Sequence, residues 1–199
     1  LGYKAHPGGP LEFDMEVHAA LRKAVGPGYP LMSDPVGEYT LGDAVRVARQ
    51  LERLGYEWFE EPFRDFELYK YTDLCRTVDI PIAATETTRG CHWGVAQSIA
   101  QRAADIVRAD VSWKNGVTGT LKIAHMADGF GLNCEVHTTT MNYMDLANVH
   151  VSCAIRNCKY FEYFVPEDQY RLPMKGDLPI RDGYIYAPDK PGIGAELDW

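Results

Sequence analysis

Three carboxylates divide the first half of this chain into equal lengths. Asp34, Glu60 and Glu86 are separated by two gaps of 26 residues, and each closes a short apolar run: Tyr-Pro-Leu-Met-Ser-Asp34, Tyr-Glu-Trp-Phe-Glu60 and Ile-Pro-Ile-Ala-Ala-Thr-Glu86. About 26 residues is the length that one strand, one crossover helix and their two loops consume. Equal spacing therefore places the three acids at equivalent points of consecutive βα units, converging on one mouth of a parallel barrel. Three carboxylates brought together repel one another unless a cation sits among them. An all-oxygen set of this kind suits a hard divalent ion, so one Mg²⁺ per site is expected.

The bulk of the chain fits such a fold. Its 199 residues are enough for a sizeable core, and 46% hydrophobic content belongs to a globular protein. A net charge of −8 without any basic stripe argues against nucleic acid as a partner. No run of 18 apolar residues is present and the amino end carries no leader pattern, so no membrane association is expected. Five cysteines, odd in number and without a Cys-x-x-Cys pair, point to reduced thiols and a cytoplasmic location.

Periodicity predicts helices over Glu12–Val25, from a Thr40 cap to Leu54, and near Glu67–Thr77, Gly94–Arg102, Val117–Gly129 and Asp145–Arg156. Between them fall seven strand-like segments: residues 2–6, 30–34, 57–60, 81–85, 106–109, 132–136 and 159–163. Strand and helix alternate with no hairpin signal, which specifies a parallel α/β architecture. A closed barrel needs eight strands. The first is expected to precede Leu1, which opens the chain in mid-strand with no initiator Met. Residues 1–165 are assigned to the barrel. Residues 166–199, rich in Pro and Gly, are assigned to a tail that packs across it.

Further chemistry-bearing residues sit at later strand ends. Asp110 ends Ile-Val-Arg-Ala-Asp and His137 ends Leu-Asn-Cys-Glu-Val-His, so a carboxylate on one strand can orient an imidazole on the next. Glu162 ends Tyr-Phe-Glu, where it could donate a hydrogen bond if protonated or serve as a salt-bridged structural acid. Lys4 and His6 alternate along the first segment and so point to the same face. Lys4 could neutralise a substrate carboxylate and His6 could exchange a proton.

With these residues in place, the sequence resembles the mandelate racemase branch of the enolase superfamily. The resemblance is carried by Trp58-Phe-Glu-Glu-Pro62, Ala83-Ala-Thr-Glu86, Arg108-Ala-Asp110 with Asn115-Gly-Val-Thr118, His137, Phe161-Glu162, and the closing Asp182-Gly-Tyr and Pro191-Gly-Ile-Gly194. It implies a TIM-type (β/α)7β barrel present from its second strand onward, with an amino-terminal α+β capping domain lying outside this chain. It implies that Asp34, Glu60 and Glu86 are the Mg²⁺ ligands, that His137 and Asp110 are the base dyad, and that Glu162 hydrogen-bonds the substrate. The expected activity is abstraction of the proton α to a carboxylate in a small-molecule substrate, and a homo-oligomeric assembly goes with it. Dehydration of an aldonate or aldarate to a 2-keto-3-deoxy acid is favoured, because one intact dyad suffices for elimination. Two departures stand out. His6 replaces the second Lys of the branch's Lys-x-Lys, which weakens the case for racemisation with a base on each face. Thr85 replaces the Gly that commonly precedes the third ligand. The alternatives are a racemase or epimerase using His6 and His137, and a non-catalytic barrel that binds acid metabolites. A Zn²⁺ hydrolase is disfavoured by the absence of His/Cys ligand spacing.

Overall fold

Short strands alternate with helices along the chain. A computed structural model describes residues 1–138, 142–166, 174–176 and 178–198. The strands β1 (Tyr3–Ala5), β2 (Leu31–Ser33), β3 (Trp58–Glu60) and β4 (Ile82–Ala84) pair in parallel in that order. The register sets Lys4 opposite Met32, Met32 opposite Trp58, and Glu60 opposite Ala83. All residues of β2, β3 and β4 are buried, as expected of parallel strands between helical layers. The connecting helices are α1 (Leu11–Val25), α2 (Leu41–Arg53), α3 (Leu68–Thr77) and α4 (Cys91–Ala100). Residues 1–89 and 94–106 form one compact unit. Its core gathers Leu31, Phe59 and Ile82 from the strands with Val47, Leu51, Tyr71 and Leu74 from α2 and α3.

Local chemistry explains the helix ends. Thr40 caps α2: its hydroxyl accepts the Asp43 N–H at 3.3 Å and donates to the Asp43 carboxylate at 2.7 Å. Gly55 closes the same helix at a φ of 65°, a conformation glycine adopts without steric cost.

Beneath β2 lies a polar cluster that hydrophobic patterning does not reveal. His18 is fully buried on α1, its Nε2 2.8 Å from the Ser33 hydroxyl, while Tyr39 donates to Asp14 at 2.7 Å. Burial pushes the His18 imidazole down to about 4, against the opposing pull of Asp14. A base whose folded pKa lies below its unfolded value of about 6.5 binds its proton more readily when unfolded. Its contribution is complete above pH 6.5 and is lost as the pH falls through about 4. The loss should be on the order of 2–3 kcal/mol. Thermal denaturation from pH 7.5 to 4 should show this slope, and His18→Gln should flatten it. Equal slopes in the two proteins would remove His18 as its origin.

Residues 90–93 and 107–199 form the second unit. It holds β5 (Ile106–Ala109, from its second residue on), α5 (Gly116–Gly129), β6 (Asn133–Val136) and α6 (Asn142–Ala154). β5 and β6 are neighbours, and the His137 N–H bonds the Ala109 carbonyl at 2.9 Å just beyond them. Val111, Val136, Ala147 and Val151 make its small apolar core.

Two expectations are corrected. Residues 159–163 do not form a strand. The Glu135 carboxylate, projecting from β6, accepts the main-chain N–H groups of Lys159 and Tyr160 at 3.0–3.1 Å, where a ladder would have used carbonyls. The Thr138 hydroxyl then donates to the Glu162 carbonyl at 3.1 Å. The tail also contains a hairpin. β7 (Ile180–Arg181) pairs antiparallel with β8 (Tyr184–Ile185) across Asp182 and Gly183, whose φ values are 52° and 78°. Asp-Gly between two short extended pairs, Ile180-Arg181 and Tyr184-Ile185, is the sequence signal for such a two-residue turn. Residues 167–173, 177 and 199 of that tail lie outside the described residues. No helix among the described residues is long and apolar enough to cross a membrane.

Candidate metal centre and histidine–aspartate pair

The end of β3 and the loops that leave β2 and β4 bring together the three evenly spaced acids. One oxygen from each of Asp34, Glu60 and Glu86 lies within 4.8 Å of the others, and all three residues are buried. Glu60 is fully enclosed. Strand alternation aims it to the same side as Trp58, whose indole N–H donates to its Oε2 at 2.8 Å, while Phe59 points into the apolar core. Lys4, on β1, places its ammonium 3.0 Å from Asp34 Oδ2 and 3.0 Å from Glu60 Oε1. The more exposed ring of His6 reaches to 3.5 Å from Asp34 Oδ2. Burial and the neighbouring Glu60 raise the Asp34 pKa, against the pull of Lys4 and His6. A carboxylate disfavoured as a bare anion in this way gains most from a nearby cation.

Glu61 stands apart from this group. It accepts the Thr87 hydroxyl at 2.9 Å and the Thr87 N–H at 3.3 Å. Burial pushes its carboxyl up to about 7, with the Thr87 bonds opposing and Glu60 reinforcing.

Each of the three strand ends carries backbone strain. Val36, Glu61 and Thr85 have φ values of 55°, 34° and 87°, and each lies within two residues of one of the acids. Positive φ is rare outside glycine and costs on the order of 1–3 kcal/mol per residue. Thr85, where a glycine is usual in the resembling branch, therefore holds a conformation that its β-branched side chain disfavours. Val36 offers the clean test because the residue is 51% exposed and little packing is lost with its side chain. Val36→Gly should raise stability by about 0.5–1 kcal/mol, strain relief outweighing the added entropy of the unfolded chain. A lower melting temperature in the variant would contradict this.

In the second unit, His137 Nδ1 lies 2.8 Å from Asp110 Oδ2, and both side chains are buried. Asp110 is held from several directions. Its Oδ1 accepts the Ser112 N–H at 2.6 Å and the Asn148 side-chain amide at 3.2 Å. The Asn148 Oδ1 accepts the Val111 N–H at 3.1 Å. Burial would raise the Asp110 pKa, but hydrogen bonds from His137, Ser112 and Asn148 outweigh it and hold the carboxyl below its ordinary value. An ionised Asp110 makes Nδ1 the protonated nitrogen of the imidazole and leaves Nε2 as the basic one. Glu162 pairs with the buried Arg108 guanidinium at 2.6 Å and accepts the Thr138 N–H at 3.3 Å.

Sequence reasoning missed Arg108, Trp113 and Asn148 as members of this cluster. The Trp113 indole stacks on the His137 ring at 4.8 Å between centroids and 30° between planes. A charged Arg108 inside an otherwise apolar strand was the available signal for a buried partner acid.

Parallel βα units with acids at successive strand ends place this chain in the α/β class, as part of a TIM-type barrel. It belongs to the enolase C-terminal domain-like family, whose profile matches residues 2–199. Among curated relatives, the arabinonate dehydratase of Saccharolobus solfataricus is 31% identical over 185 residues, covering 92% of this chain and 49% of the relative. The D-glucarate dehydratase structure from Agrobacterium tumefaciens, complexed with magnesium, superposes with a TM-score of 0.86 at 36% identity, covering 99% of this chain and 54% of the other. A Streptomyces coelicolor racemase with bound magnesium gives a TM-score of 0.88 at 26% identity, with coverage of 99% and 52%. The chain thus spans about half the length of the proteins it matches.

Proposed function

We propose that the protein to which this chain belongs removes the proton α to a carboxylate with the help of one Mg²⁺. The reaction is the dehydration of a sugar acid, an aldonate or aldarate, to a 2-keto-3-deoxy acid. The observation that carries this reading is the convergence of three buried carboxylates within 4.8 Å. That donor set fits a hard divalent ion: it is all oxygen, carries three formal negative charges and is only partly offset by Lys4. Relatives named for dehydration of arabinonate, xylonate and galactarate support the substrate class.

Asp34, Glu60 and Glu86 would hold the ion. When bound, it supplies positive charge to a substrate carboxylate as the α-carbon gives up its proton. Lys4 adds a second positive charge where negative charge develops. His137 Nε2 takes the α-proton, with Nδ1 kept on Asp110, and the ionised Asp110 stabilises the resulting imidazolium. The β-hydroxyl then leaves as water, with a proton returned from His137 or His6. The enol that remains tautomerises to the 2-keto acid. Glu162 keeps Arg108 neutralised and tethers Thr138.

His6 supports a second reading. Its ring lies 3.5 Å from Asp34 and is 45% exposed, which keeps a second proton carrier beside the carboxylates and leaves racemisation or epimerisation as the alternative. A panel of aldonates and aldarates incubated with Mg²⁺ separates the outcomes. Formation of a 2-keto acid that chelation abolishes supports dehydration, and inversion without keto acid supports the second reading. Neither product from any acid, together with no Mg²⁺ binding, would overturn both.

A further inference from the structure

The Asp110 carboxylate holds one corner of the His137 ring, with Oδ2 2.8 Å from Nδ1. The indole of Trp113 lies against the ring face, 4.8 Å between centroids and 30° from parallel. The ring thus has an edge contact with Asp110 and a face contact with Trp113.

The loop that carries Trp113 is built on the same aspartate. The Asp110 carbonyl accepts the N–H groups of both Trp113 and Lys114, at 3.1 and 2.9 Å, and its carboxylate accepts the Ser112 N–H. The Gly116 N–H closes the turn onto the Val111 carbonyl at 2.9 Å. The first turn of α5 then packs so closely on this loop that a Cβ at Gly119 would sit 1.6 Å from the Lys114 carbonyl oxygen. The Cys91 thiol donates to that same oxygen at 3.1 Å. The indole is therefore held on a rigid turn. Trp113 is nevertheless 48% exposed, so burial alone does not account for an aromatic residue at this position.

We propose that Trp113 is a positioning residue for His137, holding the imidazole plane so that Nε2 stays aimed while Nδ1 remains on Asp110. This deepens the proton-abstraction reading and rests on it. A ring that can tilt places the basic nitrogen away from the α-proton for part of the time. Misplacement of that order lowers turnover without weakening substrate binding.

The test compares Trp113→Phe, which keeps a stacking face, with Trp113→Leu, which keeps apolar bulk but no plane. Deuterium exchange at the substrate α-carbon in D₂O gives kcat and KM. The His137 Cε1–H proton, followed by NMR without substrate, reports the ring-current shift from the indole. Trp113→Leu should lower kcat by about 10- to 100-fold with KM nearly unchanged, and Trp113→Phe should recover most of the loss. The His137 signal should move downfield and broaden in Trp113→Leu, and stay sharp in Trp113→Phe. An unchanged kcat in Trp113→Leu, a rise in KM alone, or equal defects in both variants would overturn the proposal. If the unsubstituted protein exchanges no acid, the reaction assignment fails. The NMR comparison then decides whether the indole orders the ring.

Discussion

Replacing His137 by Asn is expected to abolish exchange of the substrate α-proton while leaving Mg²⁺ binding intact. The positioned base supplies about 10²- to 10⁴-fold in such a step, and neither Asp110 nor Trp113 can accept the proton in its place. Asn is close in size to the proximal half of the imidazole, so the buried site near Asp110 is not left as a large void. Asp110 keeps its bonds from Ser112 and Asn148, which preserves the turn it organises. The measurement is deuterium incorporation from D₂O, run beside a calorimetric Mg²⁺ titration. Full exchange in the variant would assign the base elsewhere. Loss of exchange and of Mg²⁺ binding together would indicate a collapsed site rather than a missing base.

Glu60→Gln should have a comparable effect through the other cluster. Loss of a residue that merely orients a ligand commonly costs 10- to 100-fold in metal affinity, so loss of a ligand charge should cost at least about 100-fold. The fully buried carboxylate accepts from Trp58 on one oxygen and from Lys4 on the other. A carboxamide can satisfy only one of those donors and turns its own N–H₂ toward the second. The metal-free variant should therefore be less stable by about 1–3 kcal/mol. Magnesium at 100 times its dissociation constant should stabilise the unsubstituted protein by about 2.7 kcal/mol, and should do much less for the variant. Equal thermal shifts in the two proteins would remove Glu60 from the metal centre.

Much of this site was readable before any coordinates, because strand ends repeat and chemistry repeats with them. The spacing of Asp34, Glu60 and Glu86 needed only the length of a βα unit, and the pairing of Asp110 with His137 needed only adjacency of two strand ends. What escaped detection depends on side chains doing the work of backbone. The segment at 159–163 has strand-like composition, yet the N–H groups of Lys159 and Tyr160 go to the Glu135 carboxylate, and no periodicity signals that exchange. Asn148 lies 38 positions from Asp110 and meets it only because α6 folds back on the β5 end. Trp113 was invisible for another reason: an indole three residues after an acid gains meaning only once the turn places it over a ring. Thr85 was noted as a departure from the family pattern, but its φ of 87° shows why that position favours glycine.

The positive φ values at Val36, Glu61 and Thr85 bear on how this protein would respond to selection in the laboratory. Relief of that strain is one ready route to greater heat resistance. A library screened for thermostability alone would be drawn toward glycines beside the three acids. Each such replacement loosens the loop that aims a carboxylate. Directed evolution of this chain therefore needs a cation-dependent screen from its first round, or the fittest survivors will be the most robust folds with the weakest grip on the ion.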